Sequence, residues 1–362
     1  MTNLSRTFNE MSVQHGRERA ALARPVHDTG DSPTELMGAL REMGLAAPGD
    51  QARITHLGKA RASEIYRVDL GWGTLCVKRA QPRKRRLTDD GTLPVEQDNF
   101  EAEWLKLARV VVGDAVPEVL GERPGLFAME YFDPDYHTDW ASLLRKGDIN
   151  PSTAAEIGRM LGRIHGATAN NFAVAQRFSS DRMFHQMRIE PLLIATAQVQ
   201  PAIAGRLHDL AMNTEQTRLA LVHGDFSPDN FLIGPKGPVL LDAECAWYGD
   251  PAFDLALCLS HLLVECVLQP QWRDYYLTCY TAFCASYIQR VTWEMPEQTD
   301  ERAALLLPAL VLSHVYGRVP LDNLQREGDK ERIAGLARAL LLDPVVRLGA
   351  VREAWRHALS PA

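Results

Sequence analysis

Long apolar runs are missing from this 362-residue sequence. Its most apolar stretches, LALCLSHLLVECVL and ALLLPALVLSHVYG, are broken by His, Glu or Pro, and they fall short of a membrane span. The opening residues, MTNLSRTFNEMSVQHGRERA, hold no apolar h-region, so no secretory signal is expected. Cysteine is scarce and unpatterned. Cys76, Cys245, Cys258, Cys266, Cys279 and Cys284 form no C-x-x-C pair and mostly sit in apolar runs. That argues against a disulfide framework or zinc site and for buried thiols in a reducing, cytoplasmic setting. Positive charge is in deficit, with 39 Lys and Arg against 46 Asp and Glu and a formal charge of −7. A general nucleic-acid binder needs the opposite balance, although one local basic pocket still suits an anionic substrate. No internal repeat or long low-complexity tract is present. What is there, 46% hydrophobic and 23% charged residues, is the composition of an ordinary globular chain, long enough for two modest domains or one two-lobed unit.

The hydrophobic period changes twice along the chain. Residues 1–31 are polar and weakly periodic, an extension. Ser32, Pro33 and Glu35 then supply a capping box, and Leu36, Met37, Leu40 and Met43 form a helical stripe. From about residue 52, RITHLG, EIYRVDL and TLCVKRA alternate as strands, with GWG at 71–73 as a tight turn and Trp72 capping the hairpin. FEAEWLKLARVV has helical spacing, and VPEVL and LFAMEYF read as two more strands. Beyond residue 140 the pattern is mainly helical: Thr153 and Glu156 suggest a capping box, and helices are expected at 254–268, 270–290, 301–317 and 328–357. LALVHGD and NFLIGPKGPVLLDAE interrupt them with short strands around a Gly-Pro turn. The expected architecture is α+β: an N-lobe at 32–131 with an antiparallel sheet and a helix, and a larger, mainly helical C-lobe at 132–362.

Within that interruption lies HGDFSPDN at 223–230, followed by DAECAWYGDPAFD. Asp225 precedes Asn230 by five residues, and Asp242 closes the apolar strand VLLD. Protein kinases use the same D-x-x-x-x-N spacing with a later Asp. Phosphoryl transfer needs one carboxylate to orient the attacking hydroxyl and accept its proton. It also needs an amide oxygen and a second carboxylate to hold Mg²⁺ against the phosphates. Asp225 fits the first role; Asn230 and Asp242 fit the second. Glu244, two residues on along an extended segment, points to the same side and is a further ligand candidate. A polar β-turn built from turn-forming residues is the bland alternative, and the position of Asp242 weighs against it. Lys78, ending the strand TLCVKRA, resembles the phosphate-contacting Lys of kinases, with Glu101 or Glu103 in the next helix as its partner.

The order strand-Lys, helix-Glu, H-G-D-x-x-x-x-N and D-x-E…G-D-P-x-x-D resembles the aminoglycoside phosphotransferase/choline kinase-like superfamily of small-molecule kinases over about residues 40–320. D-A-E-x-A-x-Y-G is similar to the methylthioribose kinases within it. The resemblance implies a protein-kinase-like bilobal fold, ATP and Mg²⁺, and a small hydroxylated acceptor. It implies Asp225 as catalytic base, Asn230 and Asp242 as Mg²⁺ ligands, Lys78 on phosphate with Glu101 behind it, and Asp254 bracing the catalytic loop. Backbone groups of Glu130 to Phe132 would meet the adenine. The chain departs from the family at its nucleotide-covering loop: LGKARASEIYRV offers only Gly58, with Ser63 at the phosphate-facing position.

Several residues carry two readings. His223 is a general acid or a buried imidazole holding the loop, and His165 is a capping or core histidine. The basic run at 83–86 is a phosphate patch or a solvated loop. Trp140 is an aromatic anchor or a substrate contact, and Arg318 is a substrate contact or a helix-end cation. Two other functions compete with a kinase. A catalytically silent nucleotide-binding scaffold would explain the thin glycine loop. A two-metal phosphohydrolase would need further His ligands that the sequence lacks. The acceptor, ATP against GTP, and the oligomeric state are not encoded in any motif.

Overall fold

The computed structural model describes residues 33–59, 63–80 and 100–360. The 1–31 extension, the Ser32 cap, most of the nucleotide-covering turn and the basic run at 83–86 lie outside them. By their contacts the described residues form two compact units. One holds the residues up to Ala80 together with Glu118–Tyr131, and the other holds Phe100–Pro117 and everything from Phe132 onward.

The first unit is a five-stranded sheet in the order β1-β2-β3-β5-β4, every pair antiparallel. Its strands are β1 (Arg53–Lys59), β2 (Ser63–Leu70), β3 (Gly73–Ala80), β4 (Val119–Arg123) and β5 (Leu126–Glu130). The GWG turn joins β2 to β3, whose register begins at Leu70 opposite Gly73. Exposed Trp72 at its tip donates to the Leu45 carbonyl (3.1 Å). Helix α1 (Pro33–Glu42) lays its apolar stripe on the sheet, so that Leu36, Leu40, Val68, Leu75, Val77 and Ala128 share one core.

The second unit begins with α2 (Phe100–Val112) and resumes at β6 (Thr138–Asp139), α3 (Trp140–Lys146) and α4 (Pro151–Thr168). Asn150 caps α4 by accepting from the Ser152 N–H, with Pro151 at the first helical position. This corrects the Thr153–Glu156 capping box: an Asn-Pro pair starts the helix one turn earlier. Helix α4 packs on α8 closely enough that a Cβ on Gly158 would lie 2.5 Å from the Phe283 carbonyl oxygen. Next come α5 (Phe172–Arg177), a continuous helix that is α-helical at Asp181–Phe184, π-helical at His185–Ile194 and α-helical again at Ala195–Val199, and α6 (Ala204–Gln216), none of which the hydrophobic pattern predicted. Strand β7 (Ala220–Val222) pairs with β10 (Trp247–Gly249), while β8 (Phe231–Gly234) and β9 (Gly237–Leu240) form the expected hairpin, extended by β6. Helices α7 (Pro251–Leu268), α8 (Arg273–Ile288), α9 (Pro296–Tyr316), α10 (Glu327–Leu342) and α11 (Leu348–Leu359) complete the unit. By length and composition α7 could cross a membrane, contrary to the sequence reading, but 89% of that segment is buried inside the protein. None of the six cysteines is in a disulfide, and all but Cys284 are buried.

Candidate active site

The segment His223–Asn230 runs from the end of β7 to the start of β8, and Asp242 follows β9, so two short antiparallel pairs fix both ends of the loop. Gly224 turns the chain at φ +75°, and a Cβ there would collide with the Cys245 carbonyl. Only glycine fits such a turn at so close a backbone approach. Fully buried Asp254, one turn into α7, grips the loop from below. Its Oδ2 accepts the His223 N–H (2.7 Å) and its Oδ1 the Gly224 N–H (2.9 Å). His165 Nε2 meets Oδ2 at 3.3 Å, and its Nδ1 lies 2.9 Å from the Tyr287 hydroxyl. Since a carboxylate only accepts, Nε2 is the donor to Asp254. His165 is thus a core histidine.

His223 ties the two acidic segments together. Its Nε2 donates to the Leu241 carbonyl (3.0 Å), and its Nδ1 accepts the Asp225 N–H (3.2 Å). The ring stands edge-on to Trp104 at 5.0 Å. Burial holds the imidazole below its ordinary pKa, outweighing Asp254 and Asp225, so it stays neutral. With both nitrogens engaged, it has no proton to give a substrate. The loop closes on itself as Ser227 N–H (2.8 Å) and Asn230 Nδ2 (2.7 Å) both donate to the Asp225 carbonyl. That commits the nitrogen end of the Asn230 amide and leaves Oδ1, the end a cation needs, as the acceptor.

Asp225, Asn230, Asp242 and Glu244 are each half-buried. Asp242 stands at φ +67°, a left-handed conformation rare outside glycine. Among the described residues, no three His, Cys, Asp or Glu side chains gather as a metal cluster. The donor set of Asn230, Asp242 and Glu244 is hard oxygen, and a Mg²⁺ carried by a nucleotide asks a protein for only one or two carboxylates beside such an amide. The residues therefore fit that ion. A small polar cleft beside the loop is lined by Arg145, Asp229, His261, Glu265 and Asn323, among others.

The hydrophobic pattern gave no hint of Arg188. This arginine, 2% exposed on the π-helix, sets Nη2 2.7 Å from Asp225 Oδ2. Burial opposes its charge, but Asp225, with Glu244 behind it, holds the guanidinium protonated. The one available signal was a lone Arg inside the apolar run MFHQMRIEPLLI, which needs a partner wherever it is buried.

The other candidates fall as follows. Lys78 is 4% exposed on β3, opposite Ile65 and Phe127. Glu101 is 4% exposed in the first turn of α2, while Glu103 is engaged by Lys106 (3.3 Å) and Arg177. Ser63 opens β2 opposite Ala80. Glu130 ends β5 and spends its backbone N–H on the Glu118 carbonyl (2.9 Å). Phe132 packs edge-on to His137 at 5.1 Å. Trp140 is 1% exposed and edge-on to Phe231 at 5.8 Å. It underpins the β8 hairpin, which corrects its reading as a substrate contact. Arg318 follows α9 and returns to the π-helix, with Nη2 2.5 Å from Glu190 Oε1 and its N–H on the Pro191 carbonyl (2.9 Å).

A profile of the phosphotransferase enzyme family (APH) matches residues 54–286. The methylthioribose kinase of Pectobacterium atrosepticum is 23% identical, over 88% of each chain. Methylthioribose kinase 2 of Oryza sativa subsp. japonica is 24% identical over 62% of this chain and 59% of its own, so the match spans about three fifths of that relative. The solved structure of the amicoumacin kinase hAmiN in complex with AMP-PNP, Ca²⁺ and Ami is similar in fold. Its identity is 15% and its TM-score 0.53, over 81% of this chain and 89% of its own. The protein-kinase-like α+β fold expected from the motif order, a small antiparallel sheet with a mainly helical remainder, is the one present.

Proposed function

The chain belongs to the phosphotransferase enzyme family, and from that premise we propose that it transfers the γ-phosphoryl group of ATP to a hydroxyl of a small molecule. Asp225 orients the acceptor hydroxyl and takes its proton. Asn230 Oδ1 and Asp242, with Glu244 beside them, hold Mg²⁺, which when bound neutralises and orients the nucleotide phosphates. Lys78, backed by Glu101, takes phosphate charge; Ser63 stands at the nucleotide-covering turn, and the backbone from Glu130 to Phe132 receives the adenine. Catalysis of this kind is positioning and charge neutralisation more than covalent chemistry.

The observation that carries this reading is the single hydrogen-bonded chain through Asp254 and His223. It fixes the backbone of Asp225 and reaches Leu241, next to Asp242. A decorative turn has no need of such support. The polar cleft beside Pro228 and Asp229, with donors and acceptors of both kinds, suits a neutral hydroxylated acceptor. The names of the bacterial and plant relatives make methylthioribose the first compound to try.

The test is incubation with Mg-ATP and methylthioribose, then with a bacterial metabolite extract, reading mass gains of one phosphoryl group. A product is expected from the wild type. Asp225→Asn should lower turnover by about 10²-fold or more, the usual contribution of a positioned general base. Asp225→Asn at near-normal turnover would sink the assignment. ATP binding with no product from any pool would favour a silent nucleotide-binding scaffold.

A further inference from the structure

Arg188 is 2% exposed, so its guanidinium must find its partners inside the protein. Among the described residues, neither Nε nor Nη2 makes an in-line hydrogen bond, although both are buried. A structural buried arginine ordinarily spends its donors on carbonyls and carboxylates. Arg188 Nη2 lies 2.7 Å from the Asp225 carboxylate, and the charge of Glu244 favours the cation as well. Cys245, packed on the same stretch through Met187, is no counter-ion, because burial pushes its thiol up to about 12.

The backbone that carries Arg188 is unusual as well. A ten-residue π-helix holds it, whereas π geometry ordinarily appears as a single turn and often at functional sites. Pro191 lies inside this segment; it has no N–H to donate and would crowd the Met187 carbonyl in an α-helix.

We propose that Arg188 is a positioning residue for phosphoryl transfer: from inside the protein it holds Asp225 Oδ2 and so fixes the rotamer in which that carboxylate meets the acceptor hydroxyl. This rests on the kinase reading above. Arginine suits the task better than lysine. Its planar cation keeps its proton when buried, and so holds a carboxylate without exchanging a proton with it. A base held to one rotamer matters here because about 1 Å of misplacement in such a reaction is enough for a 10²-fold loss.

The experiment compares wild type, Arg188→Lys, Arg188→Met, Asp225→Asn and the Arg188→Met/Asp225→Asn double variant. Each is measured for kcat, KM for ATP, Mg-ATP affinity and melting temperature, with the acceptor found above. Arg188→Met should lose about 10²-fold in kcat, and Arg188→Lys should recover part of that loss. KM for ATP should stay within about twofold in both, since Arg188 acts on the position of Asp225 and not on the nucleotide. The double variant should be no slower than Asp225→Asn, because two residues acting as a unit are not additive. If Arg188→Met does not fold, Arg188→Lys decides, since it keeps the charge and loses the fork. Wild-type kcat in Arg188→Lys, or a double variant whose losses multiply, overturns the inference while leaving the kinase reading intact. Wild type that phosphorylates nothing overturns both.

Discussion

Asp242 holds a conformation that an L-residue with a side chain adopts at a cost of order 1 kcal/mol or more. Asn170 is its one non-glycine companion at positive φ among the described residues. Such strain persists where the surroundings over-determine it, here between β9 and the Cys245 turn beneath Gly224. Asn visits the left-handed region at least as easily as Asp. Asp242→Asn should therefore keep or slightly raise the melting temperature while losing Mg-dependent turnover by about 10²-fold or more, the scale of a lost electrostatic contact. A melting curve and a kcat measured on the same sample check both halves; a variant that melts early but turns over normally would reverse the argument. Spacing alone was enough to single out Asp225, Asn230 and Asp242, because a D-x-x-x-x-N interval and a strand-closing Asp are properties of the chain. The dihedral of Asp242 and the partner of Arg188 are properties of packing. An arginine in an apolar run announces that it needs a counter-charge, but nothing local says which.

At the scale of elements, the site depends on the first turn of α7. G-D-P makes Asp250 the N-cap, accepting from the Ala252 N–H at 2.9 Å with Pro251 next, and Arg302 holds Asp250 at 3.0 Å. That anchoring aims Asp254 at two buried N–H groups of the His223–Asn230 loop. Asp254→Ala leaves both donors, and His165 Nε2, without an acceptor. At 1–3 kcal/mol for each orphaned group, the variant should lose roughly 3 kcal/mol or more. Its activity should fall further than its folded fraction. Denaturant titration beside kcat separates the two, and an unchanged midpoint would mean that another acceptor takes over. The same element shows why G-D-P-x-x-D was readable: cap, proline and brace follow one helical period. The stretch from α5 to α6 was not readable, for the opposite reason. Pro191 and Pro201 punctuate it, and a π-helix hydrogen-bonds to the fifth residue back, as the Ala195 N–H does to the Glu190 carbonyl. A search for a 3.6-residue period finds nothing to follow there.

Across the whole molecule, buried imidazoles tie the fold to pH. His314 is 4% exposed. Ser260 Oγ donates to the Leu257 carbonyl (2.7 Å), so His314 Nε2 must donate to Ser260 Oγ, also at 2.7 Å. Burial holds this imidazole well below its ordinary range, and His261, with its ring centroid 4.6 Å away, pushes the same way. His223, fully buried at the start of the His223–Asn230 loop, is depressed by burial too. In the unfolded chain both return to about 6.5. On acidification the unfolded state therefore takes up protons first, while the native state refuses them. The stability these residues supply is complete above about pH 6.5 and is lost as pH falls toward their folded values. The loss approaches 1.4 kcal/mol per pH unit for each histidine while that proton difference lasts. The melting temperature should accordingly drop between pH 7.5 and pH 5.5. His314→Gln, whose amide N–H also reaches toward Ser260, should melt with a shallower pH dependence by up to one proton. Equal slopes in the variant and the wild type would mean that His314 takes up its proton in the fold as readily as in the unfolded chain, against the burial argument.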